Sequence, residues 1–163
     1  MTIRKAERKD IQVLLEIYNY EVVNGVSTLD INPRTIGQWT DWYEKHNIKN
    51  HPLIVAEDNG TVMGYATLLS YREKEAYSST VELSIYVHPE HRGKGVGSVL
   101  MNAIIKMAKE DETVHTVVSV ITSGNAASEH LHEKFGFTFS GRIKEVGMKF
   151  GNYLDISNYY LVV

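Results

Sequence analysis

Hydrophobic positions along this chain switch between helical spacing, three to four residues apart, and the strict alternation of strands. A short strand-like piece, Ile3–Ala6, comes first. Asp10 then leads into Ile11, Leu14, Leu15, Tyr18 and Val22 at helical spacing, and a second helix is expected after Pro33 with Ile36, Trp39, Trp42 and Tyr43 on one side. The middle of the chain is strand-rich. Leu53–Glu57 and Val62–Leu69 flank Asp58-Asn59-Gly60, and Asn-Gly between apolar runs is a strong hairpin signal. Thr80–His88 alternates, with Val81, Leu83, Ile85 and Val87 on one face and Glu82, Ser84, Tyr86 and His88 on the other. Val96, Val99, Leu100, Ala103, Ile104 and Met107 then form the clearest amphipathic stripe. Thr116–Ile121 reads as a buried strand, Asn125–Phe135 as a helix ending at Gly136, and the remainder as two strands around Gly151-Asn152. The order β-α-α-β-β-β-α-β-α-β-β mixes hairpins with helix-joined strands. It predicts a mixed α/β (α+β) sheet with helices on both faces.

Composition narrows the function classes. A length of 163 residues, with only three prolines and no linker-like or repeated segment, fits one domain over residues 1–163. The absence of cysteine removes disulfide scaffolds, Cys-ligated zinc, iron–sulfur clusters and thiol nucleophiles, and suits a reducing cytoplasm. The 17 basic and 20 acidic residues leave a formal charge of −3, which offers no global attraction for nucleic acid or anionic membrane. No apolar run approaches the roughly 20 residues of a membrane span, and Thr2–Arg8 is too polar for a signal peptide.

The most informative segment is His91-Arg92-Gly93-Lys94-Gly95-Val96-Gly97-Ser98, between a strand and the strongest helix. Closely spaced glycines let the backbone turn sharply and present its N–H groups, and the helix N-terminus adds free donors and a positive dipole end. Arg92 and Lys94 add charge, so the loop fits a phosphate or pyrophosphate. A glycine-rich turn that merely caps a helix is the plain alternative. The Walker pattern fails because Gly95 follows Lys94, and the dinucleotide pattern fails because Ser98 or Leu100 occupies its last glycine position. The pattern R/Q-x-x-G-x-G/A fits in full as Arg92, Gly95 and Gly97. In these residues the chain resembles the GNAT superfamily of acetyltransferases, whose pyrophosphate loop has this pattern.

A second constellation supports the resemblance: Asn125-Ala126-Ala127-Ser128 opens a helix that carries His132 and ends in Phe135-Gly136-Phe137. More narrowly, the chain resembles the phosphinothricin and methionine sulfoximine N-acetyltransferases along nearly its whole length. The matching pieces are Ile17-Tyr18-Asn19, Val26-Ser27-Thr28, Tyr71-Arg72 with Ala76-Tyr77, Thr80–Val87, Arg92–Ser98, Gly124–Ser128, His132 and Gly147-x-Lys149-x-Gly151-x-Tyr153-x-Asp155. Tyr153 departs from the family's usual Trp, and Arg72-Glu73-Lys74-Glu75 is more charged than the corresponding loop of many members.

The resemblance implies a mixed, mostly antiparallel central sheet, acetyl-CoA as cosubstrate, and a homodimer. Trp39, Trp42 and the Tyr-rich C-terminus are candidates for that interface and equally for the core. It implies that Ile85, Tyr86 and Val87 pair with the pantetheine like an added strand, with an oxyanion donor near Val87, and that Arg92, Gly93, Lys94, Gly95, Val96, Gly97 and Ser98 hold the pyrophosphate. Asn125 and Ser128 would contact the pantetheine arm, and Asn125 also suits a plain N-cap. Glu82 would be the base and His132, where relatives often carry Tyr, would protonate the leaving thiolate. Arg72, Lys74, Tyr77, Glu82 and Ser84 would border the amine substrate, with Arg72 and Lys74 suited to a carboxylate. Neither His88-x-x-His91 nor His130-x-His132 is placed to chelate a metal, and direct acetyl transfer needs none. Without cysteine no acetyl-cysteine intermediate is available, so acetyl passes directly to the amine. Two alternatives stay open: a GNAT enzyme acting on a polyamine, aminoglycoside or protein N-terminus, and a CoA-binding regulatory module without turnover.

Overall fold

The computed structural model describes all 163 residues. Its elements follow the expected order: β1 (Thr2–Lys5), α1 (Ile11–Asn24), α2 (Ile36–Tyr43), β2 (Leu53–Asp58), β3 (Thr61–Ser70), β4 (Thr80–Val87), α3 (Val96–Glu110), β5 (Thr116–Thr122), α4 (Ala126–Lys134), β6 (Thr138–Lys149) and β7 (Asn152–Val162). The strands form one seven-stranded sheet in the order β1-β2-β3-β4-β5-β7-β6. Every neighbouring pair is antiparallel except β4 with β5. No helix is long and apolar enough to cross a membrane.

Two apolar layers sandwich the sheet. On one face α3 lies over Ile54, Ala66, Leu68, Val81, Leu83 and Val117; on the other, α1 and Trp39 of α2 cover Leu53, Val55 and Tyr65. Successive residues of β2 feed opposite layers, which is why that strand reads as a continuous apolar run rather than an alternation. The buried stripe of α3 is Val96, Leu100, Met101, Ile104, Ile105 and Ala108, rotated from the expected one. Val99 is 38% exposed, because a helix lying flat on a sheet buries positions on both sides of its central row. Each fully buried leucine or isoleucine there contributes roughly 1.5–3 kcal/mol relative to exposure. Trp39 is 4% exposed and belongs to the core, which removes it from the candidate interface residues.

Local chemistry sets where the elements begin. α2 starts at Ile36 rather than directly after Pro33 because Thr35 caps it: Thr35 Oγ1 accepts from the Gln38 N–H at 3.2 Å, and Gln38 Oε1 accepts from the Thr35 N–H at 2.9 Å. The guanidinium of Arg4 on β1 donates to both carboxylate oxygens of buried Asp10, at 2.7 and 3.0 Å, and so ties the start of α1 to the sheet. Gly64 of β3 faces Val87. A Cβ there would sit 2.7 Å from the Tyr86 carbonyl oxygen and 3.3 Å from Leu100 Cδ1, so only glycine lets β4 and α3 come this close.

Candidate active site

The site begins where the sheet opens. β4 and β5 pair only at Thr80–Thr116, Val81–Val117 and Glu82–Val118. Beyond that point Leu83–Val87 and Ser119–Thr122 part and line a groove of about 530 Å³. Buried backbone groups need partners, so two parted strand edges accept a chain laid between them. The ladder alternation supports this. His88 N–H bonds to the Met63 carbonyl at 2.8 Å, which makes Val87 a non-bonded partner of Gly64 and turns its own N–H and C=O toward the groove. Ile85, two residues earlier, presents its groups to the same side.

The glycine loop closes one end of this groove. Gly93 and Gly95 adopt φ of +71° and +81°, nothing lies within 4 Å of where their Cβ atoms would be, and neither amide N–H donates a backbone hydrogen bond. Gly95 is the N-cap of α3, and no side chain caps that end. The first N–H groups of α3 are therefore free for an anion, in keeping with the pyrophosphate expectation. Gly97 packs close on α4, where a Cβ would meet Leu131 Cδ2 at 3.3 Å.

The two cations of the loop behave differently from the expectation. Arg92 Nη2 pairs with the carboxylate of Glu21, a buried residue of α1, and its Nε donates to the Val87 carbonyl at 3.4 Å. Its charge thus serves first to neutralise a carboxylate that would otherwise be buried alone. Lys94 turns away: its Nζ donates to the Glu90 carbonyl at 2.9 Å, and it does not line the groove.

On the α4 side, Asn125 Oδ1 accepts from the Ser128 N–H at 3.3 Å and its Nδ2 donates to Ser27 Oγ at 3.4 Å, so it caps α4 while lining the groove. His132 is 4% exposed. Its Nδ1 lies 2.7 Å from the Ser128 carbonyl, which can only accept, so Nδ1 carries the proton. Burial depresses the imidazole pKa, and Nε2 has no partner. Nε2 is thus the ring nitrogen left without a partner, on a residue that lines the groove.

A second cavity of about 370 Å³ lies on the α1–α2 face of the sheet. Tyr18, Trp39, Trp42, Tyr65 and Tyr86 give it aromatic walls, and Asp30, Arg34, Asp41 and Lys45 bring charges of both signs. Burial works to raise the Asp30 pKa, but hydrogen bonds from Tyr18 and Arg34 outweigh it and keep the carboxylate ionised. Burial pushes the Tyr18 phenol up to about 12. Ser84 and Tyr86 line this cavity and the groove alike, so β4 is the wall at which the two meet.

Between them runs the segment Val26–Thr28, held from several sides. Thr122 Oγ1 donates to the Val26 carbonyl at 2.6 Å, Tyr18 and Thr28 hydroxyls lie 3.0 Å apart, and buried Lys149 donates to the Thr28 and Glu21 carbonyls at 2.9 and 3.3 Å.

Not every expected residue converges here. Glu82 lies on the Ser84–Tyr86 face, opposite Leu69 of the cavity wall, but lines neither space. Burial raises its carboxyl pKa, partly offset by the charge of Arg72. Arg72, Lys74 and Tyr77 line neither space either; Arg72 stacks over Tyr71 at 5.0 Å and Tyr77 packs edge-on against it at 5.7 Å. Glu21, Ser27 and the charged residues of the second cavity escaped sequence reasoning because no local pattern joins them. Gly95→Asp should abolish CoA binding measured by calorimetry, since it places bulk, charge and strain against the free amides; unchanged affinity would remove the loop from the site.

The comparisons with known proteins agree with this geometry. Residues 16–137 match the model of the acetyltransferase (GNAT) family. The chain is 40% identical over 161 residues to the L-methionine sulfoximine/L-methionine sulfone acetyltransferase of Salmonella typhimurium, covering 96% of this chain and 91% of that protein. Among solved structures it superposes on a ribosomal-protein-alanine N-acetyltransferase from Brucella melitensis with a TM-score of 0.96 at 36% identity, covering 100% of both chains. It also superposes on a phosphinothricin acetyltransferase from Sinorhizobium meliloti, solved with acetyl-CoA, with a TM-score of 0.94 at 32% identity, covering 99% and 88% of the two chains. With a groove between parted strands, an uncapped glycine-loop helix and these relatives, the chain belongs to the GNAT family of acetyltransferases.

Proposed function

We propose that residues 1–163 act as one acetyltransferase domain that moves the acetyl group of acetyl-CoA directly to the α-amine of a small amino acid bearing an oxidised sulfur or phosphorus side chain. The single observation that carries this reading is that Ser84 and Tyr86 of β4 wall both the groove and the aromatic cavity. A thioester laid in the groove and an amine held in the cavity would meet at that strand. The named activity of the Salmonella typhimurium relative supports the substrate class.

The cavity suits a zwitterion: Asp30 and Asp41 can receive an ammonium, while Arg34 and Lys45 suit a carboxylate better than the expected Arg72 and Lys74, which lie outside it. An α-ammonium near pKa 8 is mostly charged at neutral pH and must lose a proton before attack. Glu82 takes that proton, directly or through water, its raised pKa making it a better base than an exposed carboxylate. The amine nitrogen then attacks the thioester carbon, and the carbonyl oxygen gains charge that the Val87 N–H is placed to stabilise. Collapse expels the CoA thiolate, and the proton shed by the nitrogen as the amide forms passes to the sulfur through His132 Nε2, which has no other partner.

We also infer a homodimer. β6 ends the sheet, so one backbone edge of this strand is unpaired, and Phe139, Ile143 and Met148 on it are about half exposed, at 50%, 50% and 51%. An apolar edge strand left open invites pairing, and a second copy would cover it. We also assign the enzyme to the cytoplasm, a reading that its phosphorylated cosubstrate and the cysteine-free sequence support.

Three measurements test these readings. Thiol release should be fast with methionine sulfone, methionine sulfoximine or phosphinothricin, and slow with a polyamine, an aminoglycoside or an Ala-terminated peptide. Flat release across the panel with tight CoA binding would favour a regulatory module instead. Glu82→Gln should lower kcat by about 10²–10⁴-fold with CoA affinity nearly intact. It should also erase the low-pH limb of the profile, because the active carboxylate is lost as pH falls through its raised pKa; an unchanged kcat would remove the base assignment. In sedimentation the protein should run as a dimer that Phe139→Glu with Met148→Glu converts to a folded monomer, and a monomeric parent would end the interface proposal.

A further inference from the structure

A buried polar side chain without a partner is costly, and where such groups gather beside a cavity a ligand is the natural partner. Four buried side-chain atoms lack one: Trp39 Nε1, His46 Nε2, Tyr65 Oη and His132 Nε2. They are not scattered. His132 lines the groove, Trp39 and Tyr65 line the aromatic cavity, and His46 stacks against Trp42 of that cavity's wall at 4.2 Å. Tyr65 is 1% exposed and pairs in register with Tyr86 of β4, their rings 5.5 Å apart, while Trp42 meets it edge-on at 5.9 Å. Burial holds its phenol well above the ordinary pKa, so the hydroxyl keeps its proton. Two other hydroxyls of the cavity are committed within the fold: Tyr18 donates to Asp30, and Thr67 to the Pro52 carbonyl at 3.0 Å. The Tyr65 hydroxyl is thus a donor with nothing in the chain to receive it.

The cavity is graded in polarity. Asp41 and Lys45 are exposed, Asp30 and Arg34 are half-buried, and Tyr65 and Trp39 are buried and uncharged. The charged ends of an amino acid therefore find partners toward solvent, and the buried neutral donors suit an acceptor that is dipolar but uncharged. A sulfone or sulfoximine oxygen is such an acceptor, carried on an otherwise apolar side chain. Resting on the acetyl-transfer reading above, we propose that the Tyr65 hydroxyl determines substrate specificity by donating to an oxygen on the substrate's oxidised sulfur. An unoxidised thioether in the same place leaves the hydroxyl unpaired, and that penalty, rather than steric exclusion, selects the oxidised side chain. Without substrate, the same unpaired hydroxyl lowers the stability of the fold.

Methionine, methionine sulfoxide and methionine sulfone differ only in the oxygens on sulfur, so they isolate this contact. At saturating acetyl-CoA the parent should favour the sulfone over methionine in kcat/KM. Tyr65→Phe should cut that preference by about 10-fold, the loss of one buried hydrogen bond, with the sulfoxide falling between the two. The change should fall on KM more than on kcat, because the contact lies away from the reacting nitrogen. Tyr65→Phe should also melt at or above the temperature of the parent, since it removes a buried hydroxyl that has no partner in the fold. An unchanged preference overturns the proposal. An equal loss with all three amino acids overturns it too, because the hydroxyl would then serve groups that every amino acid shares. A lowered melting temperature also counts against it, by showing that the hydroxyl is already bonded within the fold. If the parent bound CoA in calorimetry but acetylated none of the three, the amino-acid reading itself would fall, and the role of Tyr65 with it.

Discussion

The parting of β4 and β5 after three paired positions is the constraint on which the rest of this structure depends. A sheet interrupted in its middle leaves backbone donors and acceptors facing each other across a gap too wide to bridge. Such groups are costly unless water or a ligand satisfies them. The elements around the gap keep it open. α3 packs under β4 through Leu100 and Ile104, Gly64 draws β4 toward β3, and β7 holds β5 from its far side over seven consecutive positions. The groove is therefore a built feature of the sheet, held on both sides by ordinary core packing.

Charge is managed locally within that frame. A chain of net −3 can accept a phosphorylated ligand because backbone amides and a helix end supply positive potential independent of the side-chain count. Burying Glu21 in the groove wall is unfavourable without a partner, and Arg92 supplies it. Lys149 follows a similar logic on the opposite side, where its ammonium holds the Thr28 and Glu21 carbonyls and pins the segment between groove and cavity. His132 shows the inverse case: its pKa is lowered by burial, and the Ser128 carbonyl fixes its tautomer. Glu21, Lys149 and His132 are thus three buried polar side chains, each held by bonds made within the fold.

The fold was largely legible in the chain because its signals are local. Asn59-Gly60 marks a hairpin, Asn125 caps a helix, and the apolar periods of α1 and α3 announce themselves within a few turns. Even the alternation of β4 correctly separates Val81 and Leu83, which face α3, from Tyr86, which faces α1. The glycine loop was legible for the same reason, since backbone geometry demands glycine at Gly93 and Gly95 within one short span. Where the periods misled, as with Val99 on α3, the cause was the flat surface opposite the helix, which a single-helix pattern does not contain.

The sequence by itself therefore determined the order of elements, the glycine loop and the alternation of β4, all set by interactions within a few residues. Only the tertiary structure decided which charges remain available. Glu21 reaches Arg92 across 71 positions of chain, and Lys149 reaches Glu21 across 128. Lys134 and Ser98 are 36 apart and meet only because two helices pack against each other. The aromatic and charged cavity drawn from α1, α2, β3 and β4 has no signature in any one segment. Electrostatics and burial depend on distance in space, and sequence separation carries almost none of that information.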